Sequence, residues 1–410
     1  MQQSFILPVL AAALALSAPA RADSENVNVY GQANVSYDML NTGEPAGVGT
    51  AAGISSNRVS SNSSFLGLRG SSELGKGWSA EWQMEGTVGT DTGTTGGTVA
   101  GASVSSARLL DRNTYLGLSN ESWGKLLLGR HDTPYKMSTR RLDLFADGIA
   151  DNRSMLGTTL PGAAINGGVV TETFDTRQSN LVAYFSPELG GISVAIAYSN
   201  LAENNMNKSQ DSVSALSLAA MYKQDAVYTT LAYEVHTTDM PLSQTKKSIA
   251  VKAGKLGIGY KMGILDLGFI YEKSSDDHGN ANPYDGNPGN VSYNPCGGLS
   301  DGANCSGHDT LYFSAKFDIT VADAFKLAKS KTGQAGTASN GTSAHQFSMG
   351  FDHVINERTS VYVLYTVLKN DSLVRYGLSN AATSGAHSVN ATGVGGASPS
   401  AFSFGMRHKF

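Results

Sequence analysis

Residues 400–410 read Ser-Ala-Phe-Ser-Phe-Gly-Met-Arg-His-Lys-Phe. Phe402, Phe404, Met406 and Phe410 share one parity; Ser403, Gly405, Arg407 and Lys409 share the other. Successive side chains of a strand point to opposite faces, so this stretch reads as a strand with one apolar and one polar face. His408 falls on the apolar face, at a level that suits a membrane interface. The start of the chain repeats the pattern. Val27, Val29, Ala33, Val35 and Tyr37 alternate with Asn28, Gln32, Asn34, Ser36 and Asp38. So do 311–319, where Leu311, Phe313, Ala315, Phe317 and Ile319 oppose Tyr312, Ser314, Lys316 and Asp318. The same holds for 227–236 and 346–352. Alternation sustained over about ten residues is the transmembrane-strand pattern.

Composition agrees. Charged residues make up 16% of the 410, against about 25% in soluble domains. Glycine supplies 47 positions, and mean hydropathy is −0.17. Past residue 22 no run of 18 apolar residues exists, so no helix spans a bilayer. A closed barrel satisfies its backbone between strands and needs no such run. A net charge of −4 gives no electrostatic support for nucleic-acid binding.

Phe5 to Ala18 form an apolar stretch of signal-peptide length, and Ala20-Arg21-Ala22 supplies an A-x-A cleavage site. The expected division is a signal peptide over 1–22 and one β-barrel domain over 23–410. The n-region, Met1-Gln2-Gln3, lacks Lys and Arg. Loss of Arg21 shifts the charge from −4 to −5.

Sixteen strands are predicted, at 26–38, 58–70, 76–88, 108–119, 122–131, 177–187, 190–200, 212–223, 226–237, 247–261, 263–273, 309–319, 322–330, 343–354, 359–369 and 400–410. Short connections such as Asn120-Glu121 and Asn356-Glu357-Arg358 alternate with long Gly/Ser/Asn/Thr-rich ones such as 89–107, 274–308 and 370–399. Short turns on one side and long loops on the other is the outer-membrane barrel layout. An even count puts both termini on the short-turn side. Tyr37, Trp123, Tyr198, Tyr222, Tyr260 and Tyr271 stand near segment ends, as interface aromatics do.

Several stretches, in order, are similar to one family. They are Val29-Tyr30-Gly31, the run Gly67 to Gly75, Tyr115-Leu116-Gly117-Leu118, Leu128-Gly129-Arg130, Arg177-Gln178-Ser179-Asn180 and Tyr184-Phe185-Ser186-Pro187. Phe410 closes the chain with Gly405 five residues before it. Over the whole mature chain the sequence resembles a Gram-negative general-diffusion porin of the trimeric, 16-stranded outer-membrane type. The resemblance implies a homotrimer in outer-membrane lipid, with Phe410 in the signal read by the assembly machinery. It also implies passive diffusion of ions and small hydrophilic solutes, with no cofactor. A 16-stranded barrel is wide enough for an aqueous channel.

The resemblance further implies that the third long connection, about 132–176, folds into the barrel. Its apolar residues suit a packed loop. Asp143, Asp147 and Asp151, spaced by four, would present carboxylates on one side of a short helical turn. Against this acidic loop, matching residue by residue, the wall candidates are Arg112 and Arg177, with Arg130 at the loop's foot. Arg140, Arg141 and Arg153 lie in the loop itself. Opposed acids and bases set up a transverse field that filters by charge. One departure is Phe65, which stands where the family often has arginine; Arg58 or Arg69 would have to substitute.

Cys296 and Cys305, after a signal peptide, are expected to pair as a disulfide in the sixth long loop. A metal site using them with His308 is the alternative. Three other functions are weighed. A hydrolase lacks a G-x-S-x-G element, and the eight histidines are dispersed. A sugar-specific channel would need an aromatic ladder in the lumen, for which only Tyr228 and Tyr312 are candidates. An adhesin or soluble lectin would not fractionate with the outer membrane.

Overall fold

The computed structural model describes residues 27–44, 53–91, 110–157, 174–200, 212–240, 247–276, 307–335, 340–372, 374, 376–378 and 396–410. The expected signal peptide, Cys296 and Cys305 lie outside them.

Among the described residues 16 antiparallel strands close into a barrel. They are β1 (Asn28–Asn41), β2 (Ser55–Ser61 and Phe65–Gly75), β3 (Trp78–Thr87), β4 (Thr114–Asn120), β5 (Gly124–Asp132), β6 (Arg177–Phe185), β7 (Ile192–Asn200) and β8 (Ser212–Gln224). The second half comprises β9 (Val227–Met240), β10 (Lys247–Met262), β11 (Leu265–Asp276), β12 (Asp309–Asp318), β13 (Asp323–Thr332), β14 (Ala344–Asn356), β15 (Thr359–Asn370) and β16 (Ser400–Lys409). Each pairs with its sequence neighbour, and β16 closes on β1, with Met406 opposite Val35 and Phe404 opposite Tyr37. Backbone bonds Gly31 N–H to Phe410 O (3.1 Å) and Phe410 N–H to Gly31 O (3.2 Å) seal the short-turn end of that seam.

The expected β2 is both longer and interrupted. Asn62-Ser63-Ser64 bulges out of the ladder, with Ser63 at φ +54°. Asn62 N–H to Asn34 O (2.7 Å) and Asn34 N–H to Ser64 Oγ (2.9 Å) carry the pairing across the break. The strand then runs through Glu73-Leu74-Gly75, five residues past its expected end at residue 70. The reversal falls instead on Lys76-Gly77, at φ +52° and +75°, the left-handed pair that a two-residue hairpin requires. β4 starts later than expected, at Thr114.

The faces follow the parity. Val29, Leu66, Leu116, Leu128, Leu231, Phe313, Phe402 and Phe404 face outward and are exposed, as a lipid-facing surface requires. Asn34, Ser36, Asp38, Glu234, Gln346 and Ser348 face inward. Trp123, Tyr184, Tyr222 and Tyr260 stand outward at the short-turn end, and Tyr37, Tyr198 and Tyr271 toward the loop end. These are the two interface belts.

The described part of this connection, 133–157 and 174–176, runs inside the barrel. Thr133 caps helix α1 (Pro134–Thr139), its hydroxyl accepting from Lys136 N–H at 3.3 Å, and Pro134 occupies the first turn. Tyr135, Leu142, Phe145, Ile149, Met155 and Leu156 are buried, the last five in one apolar cluster with the inner wall. Wall glycines make room for them. A Cβ on Gly257 would stand 3.0 Å from Leu142 Cδ1, and one on Gly350 would stand 2.9 Å from Phe145 Cε1.

A second segment was expected to lie outside and does not. Val374, Tyr376 and Leu378, just past β15, are buried in the same cluster. The Asn370 amide fixes their path, accepting from Tyr376 N–H (2.9 Å) and donating to the carbonyls of Tyr376 (3.0 Å) and Ala397 (2.6 Å).

Candidate pore constriction

The in-folded loop is fastened to the β9–β13 wall. Tyr135 donates to Glu272 at 2.8 Å, and Gly157 N–H donates to the other Glu272 oxygen at 2.7 Å. Lys255 pairs with Asp175, donates to Thr139 Oγ1 at 3.2 Å and lies 4.0 Å over the Tyr135 ring. Its Nζ is also 3.8 Å from Glu272. Tyr228 donates to Ser138 O (2.5 Å), Tyr312 to Asp143 (3.2 Å), and Lys326 to Leu144 O (3.0 Å). Tyr228 and Tyr312 are therefore beneath the loop and do not form an aromatic ladder. Lys255, Glu272 and Lys326 were missed in the sequence. Their signal was available: charged side chains on the inward parity of mid-strand.

The three loop aspartates come together, but not on a helical turn. Helix α1 ends at Thr139, and Arg140–Leu142 and Asn152–Ser154 are single 3₁₀ turns. The stretch between turns sharply, with Asp147 at φ +66°. Its centre is Arg140, whose guanidinium reaches Asp143 (3.3 Å), Asp147 (2.6 Å) and Asp151 (2.9 Å). Arg153 adds a second cation on Asp151 (3.1 Å), 3.7 Å from Asp147. The Asp143 and Asp151 side chains are 0% exposed, and Asp147 is 36% exposed. Only Asp147 presents a carboxylate to the lumen, and it does so already paired.

Burial pushes the Asp143 carboxyl up to about 7, with the Asp151 charge adding to it, while Arg140 and the Asn152 and Phe145 N–H groups oppose. Burial also works against ionisation of Asp151, but Arg140 and Arg153 more than offset it and hold this group well below the usual carboxylate range. Asp147 is held down by Arg140, Arg153 and, across the lumen, Arg112. Burial pulls the Lys136 ammonium down to about 8, against the raising effect of Asp132.

These shifts give a signed pH dependence. Above about 7 Asp143 gains a negative charge; above about 8 Lys136 loses a positive one. Taking the pH from 6 to 9 is therefore expected to move the zero-current potential of a salt gradient toward cations. Asp143→Asn and Lys136→Met should each remove part of that movement. For folding, the raised Asp143 value means the native loop binds a proton that the unfolded chain releases. This contribution is present at acid pH and lost as pH rises through 7.

On the opposite wall Arg112 pairs with Glu85 and lies 4.7 Å over the Phe65 ring. Phe65, which stood in the sequence as a missing charge, thus seats one. Its edge meets Tyr30 (5.9 Å between centroids), and Arg69 lies 4.7 Å over Tyr30. Arg69, Tyr30, Phe65 and Arg112 form a continuous inward row, two packed rings with a cation over each. Arg58 instead lies 3.9 Å from Asp38. Arg177 sits 3.1 Å from Asp132, which also holds Lys136 at 2.7 Å, and donates to Asn113 at 2.6 Å. Arg130 donates to neutral acceptors, the Asp111 carbonyl (2.8 Å) and the Ser179 hydroxyl (2.7 Å). Arg141 is exposed, 4.3 Å over the Tyr228 ring.

His308, named in the alternative metal reading, has its ring against Tyr376, with Nε2 3.4 Å from the hydroxyl.

The comparisons with known proteins agree with this architecture. Residues 9–373 match the family described as Gram-negative porin. The chain is 25% identical over 412 residues to outer membrane porin protein 32 of Delftia acidovorans, covering 97% of this chain and 98% of that one. It is 25% identical over 335 residues to an outer membrane porin protein of Bordetella pertussis, covering 75% and 77%. Among solved structures it shares the fold of an anion-selective porin from Comamonas acidovorans, at TM-score 0.69 and 20% identity over 94% of this chain and all of that one. The chain belongs to the Gram-negative porin family, and its barrel is an outer-membrane channel for passive diffusion of ions and small hydrophilic solutes, not an enzyme.

Proposed function

We propose that this channel favours small anions, and that the in-folded loop and the Arg69–Arg112 row form its constriction. The observation that carries the preference is the imbalance of uncompensated charge. Arg69 and Arg141 are exposed cations resting on aromatic rings, with no ion pair to either among the described residues. The loop carboxylates, by contrast, are spent on Arg140 and Arg153. A guanidinium on a ring face keeps its charge available to a passing solute. The Comamonas acidovorans porin, described as anion-selective, has a preference of the same sign.

The test is the reversal potential in a planar bilayer under a salt gradient. Arg69→Gln with Arg141→Gln should lower the anion-to-cation permeability ratio roughly two- to fivefold, the effect of two solvent-screened charges several ångströms from the ion path. Arg112→Gln or Arg177→Gln should shift it the same way, because each leaves Glu85 or Asp132 with less cation beside it. No movement in any of these variants would remove the wall arginines from the constriction.

Three further assignments belong to this reading. The chain acts as a homotrimer, supported by an outward apolar groove of Val35, Tyr37, Val59, Val363, Phe404 and Met406 at the β16–β1 seam and by a neighbour described in trimer form. Unheated gel migration checks it. Cys296 and Cys305 form a disulfide after removal of residues 1–22, which alkylation mass before and after reduction would read. Phe410, whose ring lies against Gly31, serves the assembly signal.

A further inference from the structure

Three guanidinium groups at the constriction share one arrangement. Arg69 lies 4.7 Å over the Tyr30 ring, Arg112 lies 4.7 Å over Phe65, and Arg141 lies 4.3 Å over Tyr228. The first two stand on the wall and the third on the in-folded loop. The rings are held by groups other than the arginines. A Cβ on Gly67 would stand 2.7 Å from Tyr30 Cε1, so the Tyr30 ring rests directly on the bare Gly67 backbone. Its hydroxyl donates to Glu85 at 3.1 Å. Phe65 meets the Tyr30 ring in an edge-to-face contact, with centroids 5.9 Å apart. Tyr228 is buried and donates to Ser138 O at 2.5 Å.

A charge filter needs cations alone; it does not need a ring behind each. An arginine's five N–H donors point outward in its plane, and the two faces of the plane carry none. Here one face is turned to a protein ring. Arg69 and Arg141 are exposed, so the other face is open to the lumen. Arg112 is more covered, and its Nε is taken by Glu85. A guanidinium is weakly hydrated and stacks readily on flat π-systems. The two open plates thus offer two recognitions side by side: donors at the edge for a carboxylate, and a flat cationic face for an aromatic ring.

We propose that the constriction recognises planar aromatic carboxylates. This rests on the anion preference proposed above and names the solute class within it. The solute's carboxylate accepts from the N–H edge of one arginine, and its ring lies on the open face of Arg69 or Arg141. That guanidinium becomes the middle layer between two rings, one of the protein and one of the solute. Such a contact raises local occupancy by roughly two- to fivefold, favourable enough for entry and weak enough for release.

Permeability ratios are read from reversal potentials of the full-length porin in a planar bilayer at neutral pH, with potassium benzoate on one side and potassium cyclohexanecarboxylate on the other. The two anions share their charge and nearly share their size, and only benzoate has a π-face. Benzoate should be the more permeant by roughly two- to fivefold. Arg69→Lys with Arg141→Lys keeps both charges and removes both plates, so the ratio should fall to about one. Discrete openings show that this variant has folded and inserted. Retention of the wild-type ratio by the double variant would mark a size effect and overturn the proposal. A wild-type ratio of about one beside a chloride preference in potassium chloride would overturn the stacking and leave the anion preference standing. A potassium preference would overturn both.

Discussion

Arg140→Ala is expected to free the constriction loop and raise single-channel conductance, with larger current noise. Among the described residues Arg140 is the one group that touches all three loop aspartates, and two of their side chains have no exposure. Arg153 stays on Asp151, so the loss falls hardest on Asp143, left buried with neutral donors alone among the described residues: Tyr312 OH and the Phe145 and Asn152 N–H groups. Removing one partner of a buried ion pair costs about 3–5 kcal/mol. Leaving the wall lets these carboxylates reach water, so local release of the loop is favoured over global unfolding of a fully paired barrel. Ion preference should move toward cations, since one positive charge is gone. Arg140→Lys should fall in between, because an ammonium cannot span three carboxylates as a fork does. Bilayer recording reads both effects. Unchanged conductance, noise and reversal potential would mean that this cluster does not organise the channel.

Lys255→Met should detach the same loop from its other side. Lys255 is fully buried and pairs with Asp175, where the loop returns, and stands near Glu272, which holds Tyr135 and Gly157 at its two ends. Its removal leaves two buried carboxylates facing each other, at a cost of about 3 kcal/mol or more. Adding Asp175→Asn and Glu272→Gln should recover much of that loss, because replacing a whole buried ionic group is far milder than breaking it. Thermal denaturation of the three forms in detergent measures the ordering. Equal stability of wild type and Lys255→Met would contradict the anchor.

The barrel was legible because its signal is local and repeated. Parity survives small errors in strand ends, and a one-residue slip would turn Phe402, Phe404 and Met406 into the lumen. The break at Asn62-Ser63-Ser64 was not legible, since serine and asparagine suit either face and a bulge leaves no mark in such a run. The constriction was legible only in part. The aspartates at 143, 147 and 151 were visible as a group, but their spacing suggested a helical face. The chain instead wraps them around Arg140. The anchors join residues far apart, such as Tyr135 with Glu272 and Lys255 with Asp175, which no local pattern reveals. Phe65 shows the same limit. In the sequence it is an absent charge, and in space it is the platform under Arg112. Val374, Tyr376 and Leu378 were hidden in a loop whose average composition is polar, although their own alternation marks a short packed segment.

The most direct measurement is a wild-type planar-bilayer recording under a potassium chloride gradient at neutral pH. A passive channel with uncompensated Arg69 and Arg141 in its lumen predicts discrete conductance steps and a zero-current potential on the chloride side. Absence of steps would contradict the open channel. A zero-current potential on the potassium side would contradict the charge assignment at the constriction.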